Sequence, residues 1–560
     1  MSALNTAAQQ RTRIRRDLDV VIVGAGFAGL YMLHRMRSLG LSALLFEAGS
    51  GVGGTWFWNR YPGARCDVDS LEYSYSFSDD LQQEWSWTER FATQPEIMKY
   101  LNHVADRFEL RQDIRFDTSV TAAIYDETAQ RWQVGTDKGD ALSARFCIMA
   151  TGCLSAARPP AIPGLDSFAG DIYYTSEWPH DSIDVTGKRV AVIGTGSSGI
   201  QVVPMLAAQA SHLHVMQRTP NFSIPARNSQ TDPVREKAWK QDYPQKRQQA
   251  RETTAGILYD YNDTAALSVP EAQRQADFDA RWRKGGVNFI RTYCDIMLDK
   301  KANDTAADFV RAKIREIVRD PKIAAALLPH DHPIGAKRIC VDSDYFATFN
   351  RDNVTLVDIR SAPITEITKT AVKTTQGSYE IDCLVLATGF DAVTGALAKI
   401  DIRGRAGCKL VDKWAEGPRS YLGLMSAGFP NFFTITGPGS PSILTNVVVS
   451  IEQHVAWIAE AIAHLDANGF ASMEADAAAE DSWVAHVGEV AHRTLFVYAN
   501  SWYMGANIPG KPRVFLPYAG GFNAYRRKCE AVVAAGYDGF ILLPRQNAHI
   551  AVARHAAAQG

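Results

Sequence analysis

The sequence predicts an α/β fold in which two parallel-sheet units each hold a dinucleotide, with a helical insertion between them. Three observations predict it. Two glycine-rich turns each join an apolar strand pattern to a helical one. The same tripeptide, Ala-Thr-Gly, closes a short apolar strand after each turn. Between the second turn and the second tripeptide lies a polar, glycine-poor stretch. At 560 residues the chain is too long for one hydrophobic core, and its length favours roughly two to four domains.

The first unit opens on Asp19-Val20-Val21-Ile22-Val23, the continuous β-branched run of a buried parallel strand. It enters Gly24-Ala25-Gly26-Phe27-Ala28-Gly29, after which Leu30, Leu33, His34 and Arg37 follow at helical spacing. Such glycines let backbone N–H groups and a helix N-terminus approach a pyrophosphate. The next strand, Ala43-Leu44-Leu45-Phe46, ends at Glu47, 18 residues past the last glycine. A carboxylate there suits a ribose with free hydroxyls, as in NAD or the adenosine half of FAD.

The second unit repeats the layout with one change. Lys188-Arg189-Val190-Ala191-Val192-Ile193 enters Gly194-Thr195-Gly196-Ser197-Ser198-Gly199, with Ile200, Val203 and Leu206 on one helix face. The following strand, Leu213-His214-Val215-Met216, runs into Gln217-Arg218-Thr219, so Arg218 stands where the first unit has its acid. A guanidinium pairs with a 2′-phosphate that a carboxylate would repel. The fold is therefore read as two Rossmann-like dinucleotide-binding domains, FAD in the first and NADP(H) in the second.

The strand Phe146-Cys147-Ile148-Met149 closes with Ala150-Thr151-Gly152, and Cys383-Leu384-Val385-Leu386 with Ala387-Thr388-Gly389. Small residues there allow a cofactor or another backbone to come close. The polar stretch carries Phe309, Val310, Ile314, Ile317 and Val318 at helical spacing after a cap expected at Asn303 or Asp304. The expected boundaries are 1–152 and 390–560 for the FAD domain, 153–225 and 336–389 for the NADP domain, and 226–335 for the insertion. Residues 1–16 read as a frayed basic tail, and the alanine-rich end from Ala548 as a loose one.

Composition excludes several classes. A net charge of −2 gives no general support for nucleic-acid binding. No run of 18 apolar residues spans a membrane, and no secretory signal is seen, so a cytoplasmic location is expected. Eight scattered cysteines without a Cys-x-x-Cys pair argue against a disulfide scaffold, a zinc ribbon or a dithiol redox centre. His212-x-His214 and His330-x-His332 lack a third ligand, so no metal is expected. Trp56, Trp58, Trp85 and Trp87 alternate like one face of a strand.

Together with the segment Phe168-Ala169-Gly170-Asp171-Ile172-Tyr173-Tyr174-Thr175-Ser176-Glu177-Trp178-Pro179, these features resemble the type I Baeyer–Villiger monooxygenases. The family signature is F-x-G-x-x-x-H-x-x-x-W-P/D. Phe168, Gly170, Trp178 and Pro179 match it, while Tyr174 occupies the histidine position. The runs from Gly53 to Asp67, Gly335-Ala336-Lys337-Arg338 and Gly437-Pro438-Gly439-Ser440-Pro441-Ser442 add to the resemblance. The stretch Ser501–Arg513 is similar to the phenylacetone and steroid monooxygenase branch.

The resemblance implies that NADPH, FAD and O₂ convert a bulky cyclic or aryl ketone to an ester or lactone by way of a flavin C4a-peroxide. It implies Arg338 as the catalytic cation and Asp67 as the carboxylate that holds it. It adds Gly54, Thr55, Trp56, Trp58, Tyr73 and Val120 to the flavin contacts. Ser197, Ser198, Gln201, Thr219 and Lys337 join the NADP contacts, with Lys337 beside the 2′-phosphate. Cys153, Leu154, Ser442, Ile443 and Leu444 would line the ketone pocket, and Trp502 would face both cofactor and substrate. The expected partners are small molecules only, in a monomer or weak homo-oligomer. The alternative is a related flavin monooxygenase oxygenating nitrogen or sulfur. A flavin reductase and a non-catalytic NADP sensor are the more remote readings.

Overall fold

The structure, a computed structural model, describes residues 17–545; both expected tails lie outside them. The strand Asp17–Val23 runs between Ala43–Phe46 and Ala141–Met149, parallel to both. Val20, Val21 and Ile22 are fully buried, as a parallel strand covered on both faces requires. These three strands belong to an eight-stranded sheet that continues through the antiparallel pairs Ala141–Met149 with Arg131–Thr136 and Arg131–Thr136 with Val120–Asp126. The late strands Asp401–Arg403 and Phe432–Thr434 return to this sheet, pairing with Val120–Asp126 and Ala141–Met149.

The second sheet has five parallel strands in the order Val354–Asp358, His212–Gln217, Arg189–Ile193, Cys383–Leu386 and Asp171–Tyr174. In both sheets the strand ending in Ala-Thr-Gly lies beside the strand that enters the glycine turn. Tyr174 ends the edge strand with Leu386 as its partner, and Trp178 is buried with its N–H on the Trp58 carbonyl at 3.3 Å. The segment carrying the signature therefore ties the second sheet to the end of a helical turn in the first unit.

The chain leaves the second sheet by Ser223–Pro225 and returns by Cys340–Asp342, and these two strands pair in parallel. The helices between them divide into two groups. Arg247, on the helix Tyr243–Arg251, donates to the Glu72 carbonyl, Ser74 Oγ and Gln82 Oε1, all on the first unit. Phe278, Phe289 and Phe309 instead stack within 5.5–5.8 Å of one another, in a core shared with Val190, Ile200 and Leu213. A stretch expected as one insertion thus packs against both units.

Two local expectations are corrected. The helix Lys300–Ile317 is capped by Asp299, whose carboxylate accepts from the Ala302 N–H at 2.8 Å, and not by Asn303 or Asp304. Asn303 is buried, and its amide donates to the Ile296 and Ile334 carbonyls. The four tryptophans do not share a strand. Trp56 and Trp58 lie on the helical turn Thr55–Trp58, because Gly53 and Gly54 bend the backbone at φ +136° and +54°. Trp85 and Trp87 follow the helix Asp79–Glu84 and pack on Tyr100. No helix among the described residues is long and apolar enough to cross a membrane.

Candidate active site

The glycine turns and the Ala-Thr-Gly strands meet. Gly24 and Gly194 adopt φ +103° and +113°, a region costly for any side chain. A Cβ on Gly24 would lie 2.6 Å from the Ala150 carbonyl oxygen, and one on Gly194 2.3 Å from that of Ala387. Each tripeptide therefore lets the neighbouring strand close against the turn.

The turns present the groups expected for dinucleotide binding. Glu47 is buried at the end of Ala43–Phe46, and its two oxygens accept from the Ala25 and Gly49 N–H groups at 2.7 and 2.8 Å. The carboxylate is thereby fixed beside the glycine turn, with lone pairs left for ribose hydroxyls. Burial raises its pKa, and the backbone donors oppose that. Gly26 and Gly29 complete the turn, whose helix Phe27–Ser38 presents its N-terminus there. Gly54 backs onto Gly26, Thr55 is exposed beside it, and Trp56 Nε1 donates to Tyr73 Oη at 3.1 Å. Val120 is buried at the start of its strand, two residues beyond Thr118, whose N–H bonds to the Glu47 carbonyl.

In the second unit, space lies open above Gly196, where a Cβ would meet nothing within 4 Å. Ser197, Ser198 and Gly199 open the helix Ser197–Ala207. Thr195 donates to the Thr219 carbonyl at 3.0 Å. Arg218 is exposed just past His212–Gln217 and lines a cavity of about 410 Å³ with Asp331 and Arg360. Gln201 bridges the units, accepting from Tyr61 Oη at 2.9 Å and donating to the Arg65 carbonyl at 3.1 Å.

Lys337 and Arg338, adjacent in the chain, reach different acids. Lys337 Nζ lies 3.5 Å from Asp331 Oδ2, on the Arg218 side. Arg338 forks onto Asp67, with Nε–Oδ2 3.0 Å, Nη2–Oδ1 2.8 Å and Nη2–Oδ2 2.7 Å. Its Nη1 donates to the Ile443 carbonyl at 2.9 Å. The Asp67 charge raises the Arg338 pKa further, outweighing burial, so the cation is permanent. Both side chains keep some access to solvent, 30 % and 25 %.

The expected pocket residues assemble on the Ile443 side. The Cys153 thiol donates to the Thr436 carbonyl at 3.3 Å and lies 3.9 Å from Ser442 Oγ. Cys153, Ile443, Leu154, Leu444 and Trp502 pack in one apolar cluster with Tyr503 and Met504. Two phenols close on Arg338 that local pattern did not single out. Tyr503 is buried; burial pushes its pKa up to about 12 while the nearby Arg338 guanidinium draws it down. Tyr259, from the helical stretch, feels the charges of both Asp67 and Arg338. Glu72 was also missed; its carboxylate takes the Leu258 N–H at 2.7 Å and so anchors the segment bearing Tyr259. No group of His, Cys, Asp and Glu among the described residues is arranged to hold a metal ion.

The chain is similar to known proteins along almost its whole length. A family model described as pyridine nucleotide-disulphide oxidoreductase matches residues 21–248. The 2-oxo-Δ3-4,5,5-trimethylcyclopentenylacetyl-CoA monooxygenase of Pseudomonas putida is 42 % identical over 94 % of this chain and 98 % of its own. A Baeyer–Villiger monooxygenase of Pseudooceanicola batsensis is 41 % identical over 96 % and 98 %. The structure of an oxidized steroid monooxygenase bound to NADP superposes with a TM-score of 0.91 at 54 % identity, covering 94 % of this chain and all of the other. Identity at this level over almost the whole length, on a fold with two dinucleotide turns, places the chain in the Baeyer–Villiger monooxygenase family.

Proposed function

We propose that the chain oxygenates bulky cyclic or aryl ketones to esters or lactones, with the overall balance ketone + O₂ + NADPH + H⁺ to ester + NADP⁺ + H₂O. FAD belongs to the first unit, at Gly24, Gly26, Gly29 and Glu47, and NADP(H) to the second, at Gly194, Gly196, Gly199 and Arg218. What bound flavin supplies is a ring that takes hydride from NADPH and reacts with O₂. The residues of the chain do the rest. The observation that carries the reading is the Arg338–Asp67 fork, joined through the Ile443 carbonyl to an apolar cluster. Arg338 offers a fixed positive charge to a substrate oxygen that gains negative charge, and a preorganised cation needs little reorganisation when that charge develops. Asp67 and the Ile443 carbonyl orient three of its nitrogens. Cys153, Leu154, Ile443, Leu444 and Trp502 give the ketone an apolar seat and exclude water. Lys337 and Arg218 hold the 2′-phosphate.

The domain boundaries proposed are those read from the sequence, with the helical stretch shared between units. Small molecules are the proposed partners of a monomer or weak homo-oligomer. Eight unpaired thiols support a reducing, cytoplasmic setting.

Arg338→Ala tests the reading. Flavin content and anaerobic reduction by NADPH should persist, while a ketone panel read by mass gain of one oxygen should show no ester. Retained ester formation refutes the role of Arg338. A wild-type chain that oxygenates amines or sulfides but no ketone refutes the substrate class.

A further inference from the structure

The loop His330-Asp331-His332 places an acid among the cations of the second unit. Asp331 Oδ2 lies 3.5 Å from Lys337 Nζ and 3.4 Å from Arg360 Nη2. Its Oδ1 lies 2.6 Å from His332 Nδ1. His332 is buried, and burial lowers its pKa. Against an acceptor-only carboxylate, neutral His332 donates from Nδ1. Burial alone would raise the pKa of Asp331, but the His332 hydrogen bond and the charges of Lys337 and Arg360 prevail, and the carboxyl stays ionised.

Arg360 reaches this point for a topological reason. Val354–Asp358 is the parallel neighbour of His212–Gln217, with Asp358 opposite Gln217. A residue two positions past Asp358 therefore comes beside Arg218 and Thr219. Arg360 Nη2 donates to Thr219 Oγ1 at 3.3 Å, and Arg360, Arg218 and Asp331 line one cavity.

The two cation contacts of Asp331 are loose. Charge-assisted N–H···O bonds ordinarily close to about 2.7–2.9 Å. Arg338 and Asp67 reach that range, whereas Lys337 and Arg360 only lean toward Asp331. A phosphate brings more charge and three acceptor oxygens, so it draws such cations away from a single carboxylate. The carboxylate itself remains tethered to His332 and repels the phosphate that displaced it.

We propose that Arg360 is a third cation for the 2′-phosphate, and that Asp331 is its built-in counter-anion, weakening NADP(H) binding so that spent cofactor leaves. This rests on the reading of the Arg218 end as the 2′-phosphate site. The test is equilibrium titration of the oxidised, FAD-loaded protein with NADP⁺ and with NAD⁺, followed by the flavin spectrum. Asp331→Asn should tighten NADP⁺ by about three- to tenfold and change NAD⁺ by less than about twofold. Arg360→Leu should weaken NADP⁺ by about tenfold, again with NAD⁺ unmoved. Unchanged NAD⁺ affinity also certifies that each variant is folded. Arg218→Ala separates the two levels of the argument. If it weakens both nucleotides equally, the 2′-phosphate reading itself is overturned. If it weakens NADP⁺ selectively while Asp331→Asn leaves NADP⁺ unchanged or weaker, or Arg360→Leu leaves it unchanged, only the present proposal falls.

Discussion

Asp67→Asn isolates what orientation of Arg338 is worth. The native carboxylate takes three N–H contacts at 2.7–3.0 Å from one guanidinium edge. Asparagine keeps the shape but leaves one acceptor oxygen and turns an NH₂ donor toward the guanidinium. Hydrogen bonds to charged groups contribute about 1.5–3 kcal/mol each, and partial exposure of this pair places the loss within the range of one such bond. About 2–3 kcal/mol of orienting energy is therefore removed. If it fixes the cation where negative charge develops, the rate of ester formation falls about 30- to 150-fold. The guanidinium stays protonated without Asp67, so the drop should be independent of pH. The assay compares ester formed per NADPH consumed with the anaerobic rate of flavin reduction, which should change by less than about tenfold. A folded, flavin-loaded variant whose ester rate stays within about threefold of the native rate would sink the argument that Asp67 positions Arg338.

Two further outcomes follow from the fold. Gly24→Ala forces a side chain into φ +103°, 2.6 Å from the Ala150 carbonyl, so the variant should purify with little flavin and a lowered Tm; full flavin content would contradict the cradle. Glu72 is buried, and burial pushes its pKa from 4.5 up to about 7 against the pull of the Leu258 N–H. The folded state therefore binds the proton more tightly than the unfolded one, and this stability, about 3 kcal/mol, is full below the unfolded pKa and lost as pH rises through the folded one. Glu72→Gln mimics the protonated acid, so its stability in urea should fall less steeply between about pH 5 and pH 8 than that of the native chain; equal slopes would refute the shift.

The two strand–turn–helix units were legible because their signals are local. A β-branched run, glycines at fixed offsets and an acid or arginine at the next strand end are all close neighbours along the chain. The paired Ala-Thr-Gly strands were legible as a pattern, but their reason is spatial: the alanine carbonyl presses on the first glycine of each turn. Arg338 and Asp67, 271 residues apart, came only from resemblance, since no periodicity links them. Tyr259, Tyr503, Glu72 and Arg360 escaped for the same reason. Tyr259 sits in the polar segment read as a helical insertion, yet Glu72 draws it back onto the first unit. Arg360 was concealed by strand order, because its neighbour in space is Thr219, 141 residues earlier and just past the strand His212–Gln217. The misplaced cap has a similar origin. Asn303 is a good capping residue, but its Oδ1 already accepts from the Ile334 N–H at 3.0 Å and its amide donates to two carbonyls, which leaves the cap to Asp299.

The near-zero net charge is built from pairs that differ in tightness, and the difference matches the roles proposed for Arg338 and Lys337. Arg338 is clamped by Asp67 within ordinary hydrogen-bond distance, so its charge stands in one place. That suits a group meeting negative charge that appears and disappears during a reaction, where reorientation would add to the barrier. Lys337, the next residue in the chain, has only a distant acid, and burial lowers its pKa, so its charge gains when an anion arrives. That suits a ligand which must bind and then leave. Exchanging the two environments would harm both tasks: a clamped Lys337 would have little left for a phosphate, and a loose Arg338 would have to be ordered at every turnover.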